Sequence, residues 1–535
     1  MKSIKKFLAV ILSMTLMLTL GTAAFGAQKT LPSGKDTGSI NVTNLKPGDT
    51  VTAYQFVKAD YNEYGFTGYS AINNYVKDPV APTAQEVIDM ASNAATMTVA
   101  AEKKVATGDT EVTLNGLPVG YYLVMVTSGS ETVYSPMIAG IYYSKSATDN
   151  TLTNGAISAD SDFEIKAQKC WAKSSTPKLE KTIVTPSSKN SKGDDIAIGD
   201  KITFNLSATV PSYSKEYKKV TYKIYDIMSE GLDYVDGSTK CFIEKYENNR
   251  ENIKVTPKVN GGIIEITFDS KFILEHPGQK IQVEYQAKLN EKAGVNFDAN
   301  INKAYLEYSN NPASGSTAKT GEDKVYVYTF GIGSNLFGKS TEKWNEKTKE
   351  LIKVEEGEYQ WVETEKESGI FTTTTALEGA TFTLTNNKTK KSYTATSDKY
   401  GYLKFTGLNA GEYTLQETDA PDGFTLNDAK HTVVITAEYN QDGTLKSYTI
   451  KIDDKATSTY TATYDKGVIK TITSTKDSQG NISESAILKN SKMSFLPSTG
   501  GVGTTIFAIV GVVFVAAALG LHMILRGKSK LEQDR

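Results

Sequence analysis

The chain repeats one segment of its own sequence. Thr406-Gly-Leu-Asn-Ala-Gly411-Glu-Tyr413-Thr-Leu-Gln-Glu417-Thr matches Asn115-Gly-Leu-Pro-Val-Gly120-Tyr-Tyr122-Leu-Val-Met-Val126-Thr. Each copy reads as a turn built on two glycines and then an alternating strand. The 30 Tyr, with many Thr and Val and few long periodic apolar stretches, point the same way. One helix is predicted, from Thr83 to Ala101, where Val87, Ile88, Met90 and Ala91 follow an Ala-Pro-Thr start. Everything else reads as short strands spaced by turns, hence an all-β chain of sandwiches in series.

Both ends carry apolar runs with different meanings. Residues 1–27 have Lys2, Lys5 and Lys6, an apolar stretch from Phe7 to Leu20 and small residues up to Ala27, the pattern of a secretory signal peptide. Near the other end an apolar run over 504–525 is long enough to cross a bilayer once as a helix. The basic tail 526–535, opening Arg526-Gly-Lys528-Ser-Lys530, holds its end on the cytoplasmic side. Before the run stands Leu496-Pro497-Ser498-Thr499-Gly500. This pentapeptide resembles the LPXTG sorting signal of Gram-positive surface proteins. The resemblance implies that a sortase cysteine cuts between Thr499 and Gly500 and passes the threonine carbonyl to an amine.

Composition removes other classes. A net charge of −2 gives no electrostatic reason to expect nucleic acid. Three His and two Cys leave little for a metal site or a thiol or histidine active site, and no cofactor is read. A chain of 535 residues should divide into several domains. Polar, small-residue stretches near Ser174 and between Ala313 and Gly321 suggest the borders. The expected division is 28–173, 174–322 and 323–495, followed by the sorting signal.

The residues then resemble specific domain families. Leu377-Glu-Gly-Ala380-Thr-Phe382, Asp398-Lys-Tyr-Gly401, Gly411 to Thr418 and Ala420-Pro421-Asp-Gly423 look like the Cna B-type domain of pilins and collagen adhesins. The middle domain looks like the fimbrial isopeptide-forming domain, and the whole chain is similar to Gram-positive backbone pilins. The resemblance implies immunoglobulin-like and Cna B-type sandwiches in tandem, between the signal peptide and the transmembrane helix. It also implies autocatalytic Lys–Asn bonds. Such a bond needs a lysine made neutral by burial, an acid kept protonated by the same burial, and an asparagine held in contact.

In the middle domain Lys181 is the expected nucleophile, because Leu179, Lys181 and Ile183 share a strand face. Strand phase groups Ala304, Leu306, Tyr308 and Asn310, which selects Asn310 over Asn311 as partner. The resemblance makes Asp226 the acid. In the last domain it makes Glu417 the acid and Asn490 the acceptor. Lys339, in phase with Phe337, is the expected lysine there, although a long charged insertion over 342–367, read as a solvated hairpin or loop, leaves other lysines open. The first domain has Val126 where Glu417 stands in the repeat and no lysine in Gly38-Ser-Ile-Asn-Val-Thr, so no such bond is expected there.

Polymerisation in this family joins the cut threonine of one subunit to a lysine of the next, usually within a Tyr-Pro-Lys motif. The sequence Lys169-Cys170-Trp171-Ala-Lys173 has no such motif, and Lys169 and Lys173 are both candidates. Trp171 is expected to anchor a domain interface. Cys170 and Cys241 form one candidate disulfide. The resulting expectation is a non-enzymatic shaft subunit with sortase, identical subunits and peptidoglycan as partners, and no host ligand readable. The alternative is a monomeric wall-anchored adhesin or a minor pilin.

Overall fold

The computed structural model describes residues 31–128, 131–144, 156–158, 163–184, 186–246, 249–333, 342–345, 350–353, 360–364, 371–375, 378–398, 403–453 and 456–474. The expected signal peptide, Lys339, Asn490, the expected sorting signal and the 504–525 run lie outside them. Among the described residues no helix is long and apolar enough to cross a membrane. The chain divides into two compact units, 1–294 with 298–328 and 439–444, and 295–297 with 329–438 and 445–535.

The first unit contains two sandwiches. In the N-terminal one, a three-stranded sheet places Thr37–Thr43 between Lys169–Trp171 and Glu111–Pro118. Thr37–Thr43 pairs parallel with Lys169–Trp171, so the first and last strands of this domain lie side by side. The facing sheet runs Gly65–Ala71, Thr50–Asn62, Gly120–Thr127, Met137–Ser144, Glu164–Ala167, and Val99–Lys104 also pairs with Thr50–Asn62. Ile40, Val42 and Leu114 from one sheet meet Val51, Tyr122 and Ile141 from the other in a single core. That interdigitation of two inner faces is what makes the pair of sheets a sandwich.

The predicted helix forms but is shorter, Ala84–Ser92. Thr83 caps it, accepting from the Glu86 amide while the Glu86 carboxylate accepts from the Thr83 amide. Val87, Met90 and Ala91 pack against Phe56, Val57, Tyr121 and Leu123 on the outer face of the larger sheet. The helix stops at Asn93, whose side chain donates to the Asp89 carbonyl. Beyond it the β-branched Thr98 and Val99 lead into the strand Val99–Lys104. Thr83→Ala removes the hydroxyl that accepts from the Glu86 amide, while the residue-83 amide still donates to Glu86 Oε2, and should cost about 1 kcal/mol in a chemical denaturation curve of the N-terminal domain.

The two copies of the repeat fold alike. Gly116 and Gly407 have φ of +70° and +77°, and Gly120 and Gly411 have +154° and +155°. Tyr122 donates its hydroxyl to the Pro118 carbonyl, and Tyr413 donates to the Asn409 carbonyl at the matching position. The sequence match is therefore a backbone match, with the glycines where left-handed or extended positive φ is required.

In the middle sandwich one sheet runs Leu179–Ile183, Lys201–Thr209, Lys280–Leu289, Lys240–Tyr246, Asn249–Ile253. The other runs Gly193–Asp195, Asp323–Tyr328, Asn300–Asn311, Tyr222–Met228, Ile263–Thr267, Lys258–Asn260. Phe204, Leu206 and Val283 meet Ile224, Ile264 and Leu306 between them.

In the second unit, Phe330–Gly333 pairs with Lys404–Leu408, and a seven-stranded sheet contains Thr381–Asn386 beside Gly411–Asp419. Within the charged insertion Glu342–Asn345 pairs antiparallel with Glu350–Lys353, and its Gln360–Thr364 pairs antiparallel with Phe371–Thr375 just beyond it.

Candidate functional site

A lysine with no access to solvent lies between the sheets of the middle sandwich. Leu179–Ile183 alternates as the sequence predicts, so Leu179, Lys181 and Ile183 face inward while Glu180 faces out. The Lys181 side chain is 0% exposed, as is that of Asp226, which contacts its amine through Oδ2. Asp226 reaches the same space from the opposite sheet, inward-facing on Tyr222–Met228.

Two further groups complete the cluster. The Tyr285 hydroxyl, fully buried on Lys280–Leu289, accepts from Lys181 Nζ at 3.1 Å and donates to Asp226 Oδ1 at 2.7 Å. Asn302 donates its side-chain amide to the same hydroxyl at 2.6 Å. Asn302 is 0% exposed, and its carbonyl oxygen has no hydrogen-bond partner. Lys181 and Tyr285 thus come from one sheet, Asp226 and Asn302 from the other. The rings of Phe204 and Tyr285 line the amine, with centroids 4.9 and 5.3 Å from it.

Asn302 takes the place expected for Asn310. Adjacent strands pair Asp226 with Ala304, which makes Asn302 the diagonal neighbour of the acid on the same face. Asn310 lies eight residues further along the strand, about 26 Å away at the rise of a β-strand. It stands at a bulge between Ser309 and Asn311, partly exposed. Phase along the strand, the argument that selected Asn310, holds equally for Asn302. Only the cross-strand register separates them.

Electrostatics favour reactive forms. Burial lowers the Lys181 amine from the usual lysine range, against the opposing pull of Asp226. Burial also raises the Asp226 carboxyl, opposed by Lys181 and by the hydrogen bond from Tyr285. Both shifts move the pair toward neutral amine and neutral acid. The backbone of Lys181 is held from both sides. Its amide donates to Asp323 Oδ2 at 2.7 Å, its carbonyl accepts from Lys192 Nζ at 2.6 Å, and Lys192 and Asp323 bond each other at 2.6 Å.

In the second unit Glu417 is 2% exposed on Gly411–Asp419 and accepts from the Asn427 amide at 2.7 Å. Lys339 and Asn490 lie outside the described residues. In the N-terminal domain the aligned position holds Val126, buried, and Thr37–Thr43 brings no lysine to the core.

On Lys169–Trp171 the side chains alternate as well. Lys169 and Trp171 are exposed and Cys170 is buried, and in the continuing chain Ala172 is buried and Lys173 exposed. Both candidate lysines therefore reach solvent on the outer side of the strand. Trp171 is 68% exposed, so it does not anchor an interface within the chain. Cys170 and Cys241 are free thiols, each buried in a different core. The disulfide is thereby ruled out, since each sulfur sits in the apolar interior of its own sandwich. Among the described residues no cluster of His, Cys, Asp and Glu suits a metal ion.

Comparison with known proteins agrees in order along the chain. Residues 35–174 match the T6 antigen Ig like domain, residues 370–451 the prealbumin-like fold domain SpaA, and residues 489–530 the LPXTG cell wall anchor motif. The trypsin-resistant surface T6 protein of Streptococcus pyogenes serotype M6 is 26% identical, with 93% of this chain and 96% of that protein covered. The solved structure of the T6 backbone pilin from the same organism shares the fold, with a TM-score of 0.58, 21% identity and coverage of 86% of this chain and 100% of that one. The full-length major pilin SpaD of Corynebacterium diphtheriae aligns with a TM-score of 0.45 and 17% identity over 75% of this chain and 91% of that one.

Proposed function

We infer that this chain, which belongs to the Gram-positive backbone pilins, is a structural subunit of a covalent pilus shaft, secreted and anchored to the cell wall. The observation that carries the reading is the order of the matched segments: pilin-type domains first, then an LPXTG anchor over 489–530. Sortase is the partner that such an anchor implies, acting on Leu496-Pro497-Ser498-Thr499-Gly500 and cutting after Thr499. The amine that receives the Thr499 carbonyl is Lys169 or Lys173 of the next subunit, both solvent-facing beside the first strand.

Within the subunit the proposed chemistry is an amide between Lys181 and Asn302. The neutral amine attacks Asn302 Cγ, the Nζ–Cγ bond forms, the Cγ–Nδ2 bond breaks, and ammonia leaves with the hydrogen that Nζ gives up. Asp226, in its protonated form, supplies the acid that the poor amide electrophile needs. A second link between Lys339 and Asn490, promoted by Glu417, belongs to the same reading.

An immunoblot of wall extract boiled in detergent tests the polymer. A ladder of high-mass species should appear and collapse to monomer with Thr499→Ala, and with Lys169→Ala and Lys173→Ala combined. A single band near monomer mass in the unaltered chain would sink the shaft and leave an anchored adhesin or a minor pilin.

A further inference from the structure

The proposed cross-link leaves one proton unassigned. Forming it moves a hydrogen from the attacking nitrogen to the departing one, because an amide does not expel an unprotonated nitrogen. Asp226 bonds the amine of Lys181, but Asn302 Nδ2 bonds Tyr285. The phenol is the group hydrogen-bonded to both nitrogens, at 3.1 and 2.6 Å, and it also holds the acid at 2.7 Å. A hydroxyl can accept and donate at once, and its hydrogen rotates to suit.

We propose that Tyr285 is a catalytic residue of this cluster, relaying the proton from Lys181 Nζ to Asn302 Nδ2. As the Nζ–Cγ bond forms, Tyr285 Oη takes the Nζ hydrogen and its own hydrogen turns from Asp226 Oδ1 to Nδ2. The Cγ–Nδ2 bond then breaks, ammonia departs, and the phenol and Asp226 are left as they began. No outside oxidant, base or metal enters the balance. A purely structural tyrosine here would only fill space beside Phe204 and Tyr234, whose rings stand 5.5 and 6.0 Å from its own. Phenylalanine would do that without placing a hydroxyl in an apolar core.

This inference rests on the cross-link reading, and the test separates the two. The full chain is made by cell-free synthesis with mild detergent for its apolar ends and quenched in acid at intervals. The joined peptide containing Lys181 and Asn302 is then quantified by mass. Tyr285→Phe should slow its appearance about a hundredfold, with circular dichroism matching the unaltered chain. A second chain carries difluorotyrosine at position 285 by codon reassignment, which keeps ring and hydroxyl but makes the phenol more acidic. A relay changes rate with that acidity; a packing role does not. Formation at the unaltered rate in either folded chain overturns the relay. Should Tyr285→Phe fail to fold, the fluorinated chain decides alone, a shifted rate supporting the relay and an unshifted one overturning it. If the unaltered chain never loses ammonia between these residues, the cross-link itself is wrong and the relay falls with it.

Discussion

Asn302→Ala should leave the middle domain folded but unlinked. The peptide joining Lys181 to Asn302 disappears, the deficit of one ammonia from the mass calculated for the sequence is no longer seen for that pair, and the domain melts roughly 15 °C lower in calorimetry. The size follows from the loop that the bond closes. Lys181 and Asn302 enclose more than a hundred residues, and a permanent link across such a loop restricts the unfolded chain by about 5 kcal/mol. Asn310→Ala is the matched control and should keep both the link and the melting temperature. Asp226→Asn preserves the shape of the acid and removes its proton, so it should abolish the link as well. A linked peptide ending at Asn310 instead would refute the register argument, since Asn302 and Asn310 occupy the same strand far apart.

Gly120→Ala should be nearly as damaging, in a domain for which no such link is proposed. Gly120 has a φ of +154°, and a Cβ added there would lie 2.2 Å from the Val57 carbonyl oxygen and 2.6 Å from the side-chain Nε2 of Gln55. The oxygen belongs to the backbone of the neighbouring strand, where Lys58 pairs with Gly120, and cannot rotate away. Strained dihedral and clash together should cost about 4 kcal/mol. The N-terminal transition in a calorimetric scan would then fall sharply or vanish. Gly108→Ala makes the comparison fair: its φ is +92° but nothing lies within 4 Å of the added atom. Only the conformational term remains there, about 1 kcal/mol. Equal losses at the two positions would mean that the close approach of the strands is not what the glycine serves.

What could be read from the residues follows the range of each signal. Alternation and turn glycines are local, and they placed the repeat strands and the inward face of Lys181, whereas the outward face of Lys169 and Lys173 came only from the structure. The helix began where its Thr83 cap was legible and ended earlier than its apolar pattern suggested, because pairing of Val99–Lys104 with Thr50–Asn62 outweighed it. The site was half legible. Lys181 lies on a strand whose phase is visible and Asp226 was supplied by the family resemblance, whereas the choice of Asn302 depends on which residue of the neighbouring strand stands beside Asp226. That register comes from turn lengths and packing across the whole sheet. Tyr285 is further removed still, reaching the cluster from a strand that shares no sequence signal with the other three. The cysteines failed for the same reason: nothing local says that two thiols sit in different cores.

The side-by-side placement of the first and last strands of the N-terminal domain has a consequence for load. Joined through either Lys169 or Lys173, a subunit would be pulled from the end of that domain, toward Thr499. Pulling force would enter the chain after the N-terminal sandwich and leave through the middle and last ones. Residues before Lys169 would hang beside the line of tension as a pendant module. The domain for which no cross-link is expected would then be the one that carries no traction, and the domain holding Lys181, Asp226 and Asn302 would lie in series with every other subunit of the fibre.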